Sequence, residues 1–213
     1  NEFNYNSWIE IFKFQKNISD DFIEKYKDKL AIGLAYILHK NLGNKYDHIH
    51  DFHENRAGVK INTKFGFIDE KGNEITEVKY QDITYFNENR AGVKYKGKWG
   101  FIDETGYEII KPKYSHIGCF SNNKVRVELD DKFGFINKNG KEIIKIKYES
   151  LHGFREGLCG AQYKGNWGFI DEKENIVIEF KYQMVYDFEN GKTYVKLNDK
   201  WFYINKKGNK INV

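Results

Sequence analysis

Large apolar side chains return along most of this chain at one fixed interval. Tyr46, Tyr80, Tyr114, Tyr148 and Tyr182 stand 34 residues apart, as do Phe52, Phe86, Phe120, Phe154 and Phe188. The same step relates Phe65-Gly66-Phe67-Ile68-Asp69, Trp99-Gly100-Phe101-Ile102-Asp103 and Phe133-Gly134-Phe135-Ile136-Asn137. It continues through Trp167-Gly168-Phe169-Ile170-Asp171 and Trp201-Phe202-Tyr203-Ile204-Asn205. Units 46–79 and 80–113 are identical at 20 of 34 positions, with no insertion between copies. Such self-similarity is a tandem array, with units 46–79, 80–113, 114–147, 148–181 and 182–213.

Within a unit the pattern predicts strands. In the second, Gly92-Val93-Lys94-Tyr95 leads to Lys96-Gly97 and then Lys98-Trp99-Gly100-Phe101-Ile102. The central pairs Asn62-Thr63, Lys96-Gly97, Asp130-Asp131, Lys164-Gly165 and Asn198-Asp199 suit two-residue hairpin turns. A second reversal follows at Asp103-Glu104-Thr105-Gly106, and Glu108-Ile109-Ile110 returns as a third strand. Glu174 replaces the turn glycine held by Gly72, Gly106, Gly140 and Gly208. Thirty-four residues is also the length of a helix–turn–helix repeat. Residues 91–113, broken by Gly97, Gly100, Gly106 and Pro112, show no clean 3.6-residue period, so strands are favoured.

Alternation puts Trp99 and Phe101 on one side of their strand and Gly100 and Ile102 on the other. Glycine beside a large aromatic in four of five units predicts a close approach to the backbone there. Phe202 in the last unit is expected because a terminal repeat has no following neighbour to crowd it. Trp99, Gly100, Phe101, Trp167, Gly168 and Phe169 are thus the expected structural repeat core.

The Lys-Trp-Gly-Phe-Ile-Asp run at 98–103, followed by Gly106, Ile109, Pro112 and Tyr114, resembles the WG repeat, also called the KWG repeat. Residues 46–213 match it as five tandem copies. Phe65, Phe133, Glu174 and Phe202 depart from the pattern, at packing and turn positions. The resemblance implies a bacterial protein, often of the cell envelope or secreted, and assigns no role.

Residues 1–45 do not follow the period. Ser19 as N-cap, Asp20 and Asp21 at the start, and Phe22, Tyr26, Leu30, Leu34 and Leu38 every fourth residue predict an amphipathic helix. Gly43 is its stop. Residues 17–26 resemble about one copy of a short helical repeat found in tandem in some bacterial and viral proteins. The expected role is a cap over the exposed end of the β array. A partner-binding helix and a membrane-surface helix are the alternatives, the second opposed by Glu24 and Asp28 among the lysines.

Composition narrows the classes. Hydrophobic residues are 40% and aromatics 17%, too rich for a disordered chain. Two cysteines exclude a disulfide-dense scaffold, and the longest apolar run, Ala31 to Leu38, is far short of the ~18 residues that span a bilayer. No integral membrane segment is expected. The formal charge is +4 with signs alternating, and residues 1–45 carry 7 basic and 6 acidic groups. No basic block of the kind that nucleic acid requires stands out, and no nucleic-acid partner is expected.

Candidate chemistry is sparse. His48, His50 and His53 could hold a metal with Asp47 or Asp51, but the columns of His48 and His50 vary among Asp82 and Thr84, His116 and Gly118, Ser150 and His152, and Met184 and Tyr186. Asp69, Asp103 and Asp171 share a column with Asn137 and Asn205, and asparagine caps a turn but cannot act as a base. Glu54 and Glu88 read as solvated. Cys119 and Cys159 offer a weak Cys–His pairing with His116 or His152, and a disulfide stays open. No metal, cofactor or catalytic residue is assigned. Tyr5, Tyr85, Tyr107 and Tyr186 break their surroundings and are the candidate interaction surface.

The sequence therefore predicts a mainly β array of three-stranded units, open or solenoid-like, with a helical N-terminal cap. A closed five-bladed propeller-like arrangement is the alternative, opposed by three visible strands per unit where propeller blades usually need four. The expected function is a non-enzymatic binding or scaffolding module for a protein partner. Recognition of carbohydrate or envelope glycan through exposed aromatics is the alternative. Envelope, secreted and cytoplasmic locations are all left open.

Overall fold

The computed structural model describes residues 45–212. The predicted cap, 1–45, falls outside them save for its last residue. Five antiparallel sheets follow one another along the chain, the first of three strands and the others of four. The first comprises β1 (His48–His53), β2 (Arg56–Ile61) and β3 (Lys64–Asp69). The second comprises β4 (Asp82–Ile83), β5 (Arg90–Tyr95), β6 (Lys98–Asp103) and β7 (Glu108–Tyr114). The third comprises β8 (His116–Ile117), β9 (Lys124–Leu129), β10 (Lys132–Asn137) and β11 (Glu142–Tyr148). The fourth holds β12 (Ser150–Arg155), β13 (Leu158–Tyr163), β14 (Asn166–Asp171) and β15 (Ile176–Tyr182). The fifth holds β16 (Met184–Val185), β17 (Lys192–Leu197), β18 (Lys200–Asn205) and β19 (Lys210–Ile211).

Four strands in four of the five sheets correct the expected three. The extra strand follows each repeat tyrosine, and in three sheets it is only two residues long, too short to announce itself by alternation. Its return is a tight turn that the sequence reading missed. Glu54-Asn55, Glu88-Asn89 and Asn122-Asn123 carry positive φ at both residues, between 49° and 66°. Glu-Asn and Asn-Asn pairs tolerate that backbone through local side-chain hydrogen bonding. Four strands also meet the count a propeller blade needs, so strand number does not separate the two arrangements.

Two compact units divide the described chain, residues 45–95 with 102–107, and residues 96–101 with 108–212. In both, the core lies between consecutive sheets. The first unit's cluster joins Phe67 of one sheet to Tyr80, Phe86, Ala91, Val93 and Ile102. In the second, Phe101 and Ile110 pack on Tyr114, Phe120, Val125, Val127 and Ile136. Phe135 with Ile144, and Phe169 with Ile178, repeat the arrangement against the sheets that follow them. The pairs Phe67–Phe86, Phe101–Phe120 and Phe169–Phe188 meet edge to face at 5.0, 5.0 and 4.9 Å. Each such pair adds about 0.5–1.5 kcal/mol beyond its area burial.

The close approach expected at the glycine that follows Trp99 and its equivalents is present, and a neighbouring strand makes it. A Cβ on Gly100 would meet Ile110 O and lie 2.6 Å from Pro112 N; on Gly168 it would lie 2.6 Å from Ile178 O. On Gly134 it would lie 2.7 Å from Ile144 O. The crowding comes from the fourth strand of the same sheet, not from the following repeat. That strand bulges against its neighbour, where the register shifts between Phe133 and Phe135 and between Trp167 and Phe169.

Candidate functional site

The recurring carboxylate column is a turn device in all five units. Asp69 Oδ1 accepts the N–H of Lys71 at 2.9 Å and of Asn73 at 2.8 Å. Asp103 does the same to Thr105 and Tyr107, and Asp171 to Lys173 and Asn175. Asn137 and Asn205 make the identical pair of bonds at 3.0 Å. Burial by itself would raise Asp69 and Asp103, but the bonds donated by the Asn73 amide and the Thr105 hydroxyl, with the turn N–H groups, hold both below the ordinary carboxylate range. For Asp171 the Asn175 side chain leads the same depression. These are committed acceptors, the opposite of what a general base at neutral pH requires.

Glu54 is not simply solvated. Its Oε2 accepts the Asn89 N–H at 2.7 Å, and Glu156 Oε2 accepts the Gly191 N–H at 3.1 Å. One turn thereby caps the turn of the next repeat, 35 residues on.

Glu174 keeps the turn that it enters in place of glycine. It adopts φ 65°, and its N–H bonds Asp171 O at 3.0 Å, as the glycines of the other units do. The side chain gains partners there. Tyr148 OH donates to Oε1 at 3.1 Å, Lys147 Nζ lies 2.8 Å away, and the Lys145 N–H reaches Oε2 at 3.3 Å. Burial would raise this carboxyl, yet these donors, Lys147 foremost, hold it below the ordinary range. A depressed carboxylate contributes stability that is present above its unfolded value and lost as pH falls through the folded one. Glu174→Gln should therefore cost about 1–2 kcal/mol at neutral pH. The gap to the native chain, read by urea unfolding, should close as the pH is lowered below the ordinary glutamate range.

The three histidines do not converge. His48 and His50 meet edge to face at 4.6 Å, while His53 stacks on Tyr85 at 4.6 Å and 28°. Among the described residues no group of three or more His, Cys, Asp or Glu is placed to hold a metal ion. Cys119 is exposed and Cys159 buried, both as thiols, so the disulfide left open is not made. Burial pushes the Cys159 thiol up to about 12, and its Sγ–H donates to the His152 carbonyl at 3.2 Å rather than to the ring. The His152 ring turns instead to Asp187 at 2.9 Å and to Trp167. A neutral, buried thiol is a poor nucleophile.

Of the expected repeat core, Phe101 and Phe169 are fully buried, and Trp99 and Trp167 pack half-buried on the clusters. Of the candidate interaction surface, Tyr5 lies outside the described residues. Tyr85 and Tyr107 are exposed in the first unit, and Tyr186 is exposed in the second. Tyr186 meets an exposed tryptophan, Trp201, at 5.8 Å. Tyr194 stacks on Trp201 at 5.0 Å and 17°, and Tyr203 lies 4.7 Å from Tyr194. Exposed aliphatics form a second feature: Ile143 on β11, and Ile176 and Val177 on β15. No described helix is long and apolar enough to cross a membrane.

No curated protein matches the chain. Among solved structures it is similar to Hsv2p of Kluyveromyces lactis, 13% identical, with 77% of this chain and 62% of that one covered and a TM-score of 0.42. It is also similar to the extracellular domain of a hybrid two component system from B. thetaiotaomicron, 11% identical, with 74% and 27% covered and a TM-score of 0.38. The chain spans less than two thirds of either structure's own length, and at these TM-scores neither bears on what it does. A family model described as the WG containing repeat matches residues 45–64, 65–99, 99–133, 133–167 and 167–201. The chain belongs to the family of proteins built from WG containing repeats.

Proposed function

We propose that the chain is a non-enzymatic binding module whose outer strands take a protein partner. The observation that carries this reading is the placement of Ile143 and Val177. They occupy one column of the repeat, 34 residues apart, on β11 and β15, which are edge strands of their sheets. Both are exposed, and Ile176 beside Val177 is 54% exposed. A single exposed aliphatic is ordinary. The same aliphatic column open on successive edge strands is a spaced pair of apolar contacts, of the kind protein interfaces use as anchors. Repeat arrays suit this use, because fixed core columns hold variable surface columns at constant separation.

A non-enzymatic role is supported by the Asp and Asn column, in which every member caps a turn, and by the neutral Cys159 thiol. The test is affinity capture with the full chain and with an Ile143→Asp/Val177→Asp variant. A protein retained by the native chain and lost with the variant is expected. Equal retention by both, or no enrichment by either, would overturn this reading.

A further inference from the structure

The fifth sheet carries a second surface of different chemistry. Lys192, Tyr194 and Lys196 share one face of β17, and Trp201 and Tyr203 share that face of β18. Tyr194 stands opposite Tyr203, and Lys196 opposite Trp201. Tyr186 and Met184, on the adjoining strand segment, line the same side, 56% and 47% exposed. The result is a run of four contacting rings, Tyr186, Trp201, Tyr194 and Tyr203, with a lysine on either side of Tyr194 along the strand. Lys192 Nζ lies 5.2 Å from the Tyr203 ring centre, and Lys196 Nζ is 2.9 Å from Asp199. From Lys192 to Lys210 the chain holds six lysines against one aspartate and no arginine.

In the first and fourth repeats the position of Tyr194 is a glycine against the next sheet, and in the third it is Arg126, which donates to Leu151 O of the next sheet. A Cβ on Gly58 would lie 2.6 Å from Ile83 Cδ1, and one on Gly160 would lie 3.2 Å from Val185 Cγ2. Tyr194 is the one aromatic in this column, and it turns the face into a run of rings flanked by lysines.

We infer that this face is a binding site for an acidic oligosaccharide, one bearing uronate carboxylates. The flat C–H faces of pyranose rings pack against aromatic faces, and tyrosine and tryptophan add polar edges for sugar hydroxyls. Lys192 and Lys196 supply charge-assisted bonds to carboxylates at either end of the rings. Single-stranded nucleic acid also stacks on aromatics, but it brings a phosphate with every base. Two lysines on the face would neutralise few of those, and no arginine is present to fork a phosphate.

The test uses the full chain, with an oligogalacturonate as probe, followed by tryptophan fluorescence and calorimetry. Saturable binding is expected, weakened by salt, with a neutral cello-oligosaccharide at least tenfold weaker. Trp201→Ala should lose at least tenfold in affinity, and so should Lys192→Gln/Lys196→Gln. Tyr186→Ala, at an exposed ring, serves as the second variant if Trp201→Ala does not fold, and should weaken binding severalfold. No binding of oligogalacturonate, unchanged affinity in the ring variants, or tighter binding of an oligothymidylate would each overturn the assignment. The Ile143 and Val177 variant should bind the sugar normally, so this site and the proposed protein-binding edge fail separately.

Discussion

Phe169→Ala should destabilise the second unit by about 3–5 kcal/mol, the range for removing a fully buried phenylalanine ring. Phe169 sits in the cluster that joins the fourth and fifth sheets, with Tyr182, Val185, Phe188, Val195 and Ile204 around it. Its ring meets Phe188 edge to face at 4.9 Å, so the substitution forfeits area burial, an aromatic contact and packing around the resulting void. In an array where each repeat touches only its neighbours, the loss falls on one interface. Urea unfolding should show an early transition for the fifth sheet, detected through Trp201 fluorescence, ahead of the rest. A single transition displaced by less than about 1 kcal/mol would show that the sheets do not depend on this interface.

The second large effect is expected at Gly100. Valine there must place its Cβ against Ile110 O and within 2.6 Å of Pro112 N, both backbone atoms of β7. Backbone cannot step aside as a flexible side chain can, so the cost should reach the upper part of the ~1–3 kcal/mol typical of overpacking. Gly118 supplies the control, since a Cβ added there finds only ordinary contacts from 3.6 Å outward. Gly118→Ala should melt within a few degrees of the native chain while Gly100→Val falls well below it. Equal melting temperatures would remove the close approach as the reason for glycine in this column.

Both predictions rest on residues that the repeat pattern had already singled out, but for partly different reasons. The central hairpin turns were legible because Lys96-Gly97, Asp130-Asp131 and Asn198-Asp199 are residue types that accept positive φ, and they adopt it. The capping role of Asp69 and its column was legible because asparagine replaces it in two units, and only a hydrogen-bond acceptor survives that exchange. The strand after each repeat tyrosine was not legible. In three sheets it has two residues, which give no alternation to read, and pairing with the longer neighbour is what makes them a strand.

The ring run on the fifth sheet shows the same limit. Tyr186 breaks its surroundings in the sequence, whereas Trp201 and Tyr203 read as members of the repeated motif and Tyr194 is not singled out. Their meeting depends on cross-strand register, which brings Tyr194 opposite Tyr203 and within reach of Trp201. The lysine-rich run from 192 to 210 was present in the sequence but diluted in a chain whose signs otherwise alternate.

By itself the sequence determined the period, the number of repeats, the strand character of each and the family, because a 34-residue recurrence of turn and core residues has one local solution repeated five times. Tertiary structure decided which atoms crowd the glycines, which turn each glutamate caps, and which rings share a face. Those outcomes are set by bulges and register between strands, where a shift of one residue moves every side chain to the opposite face.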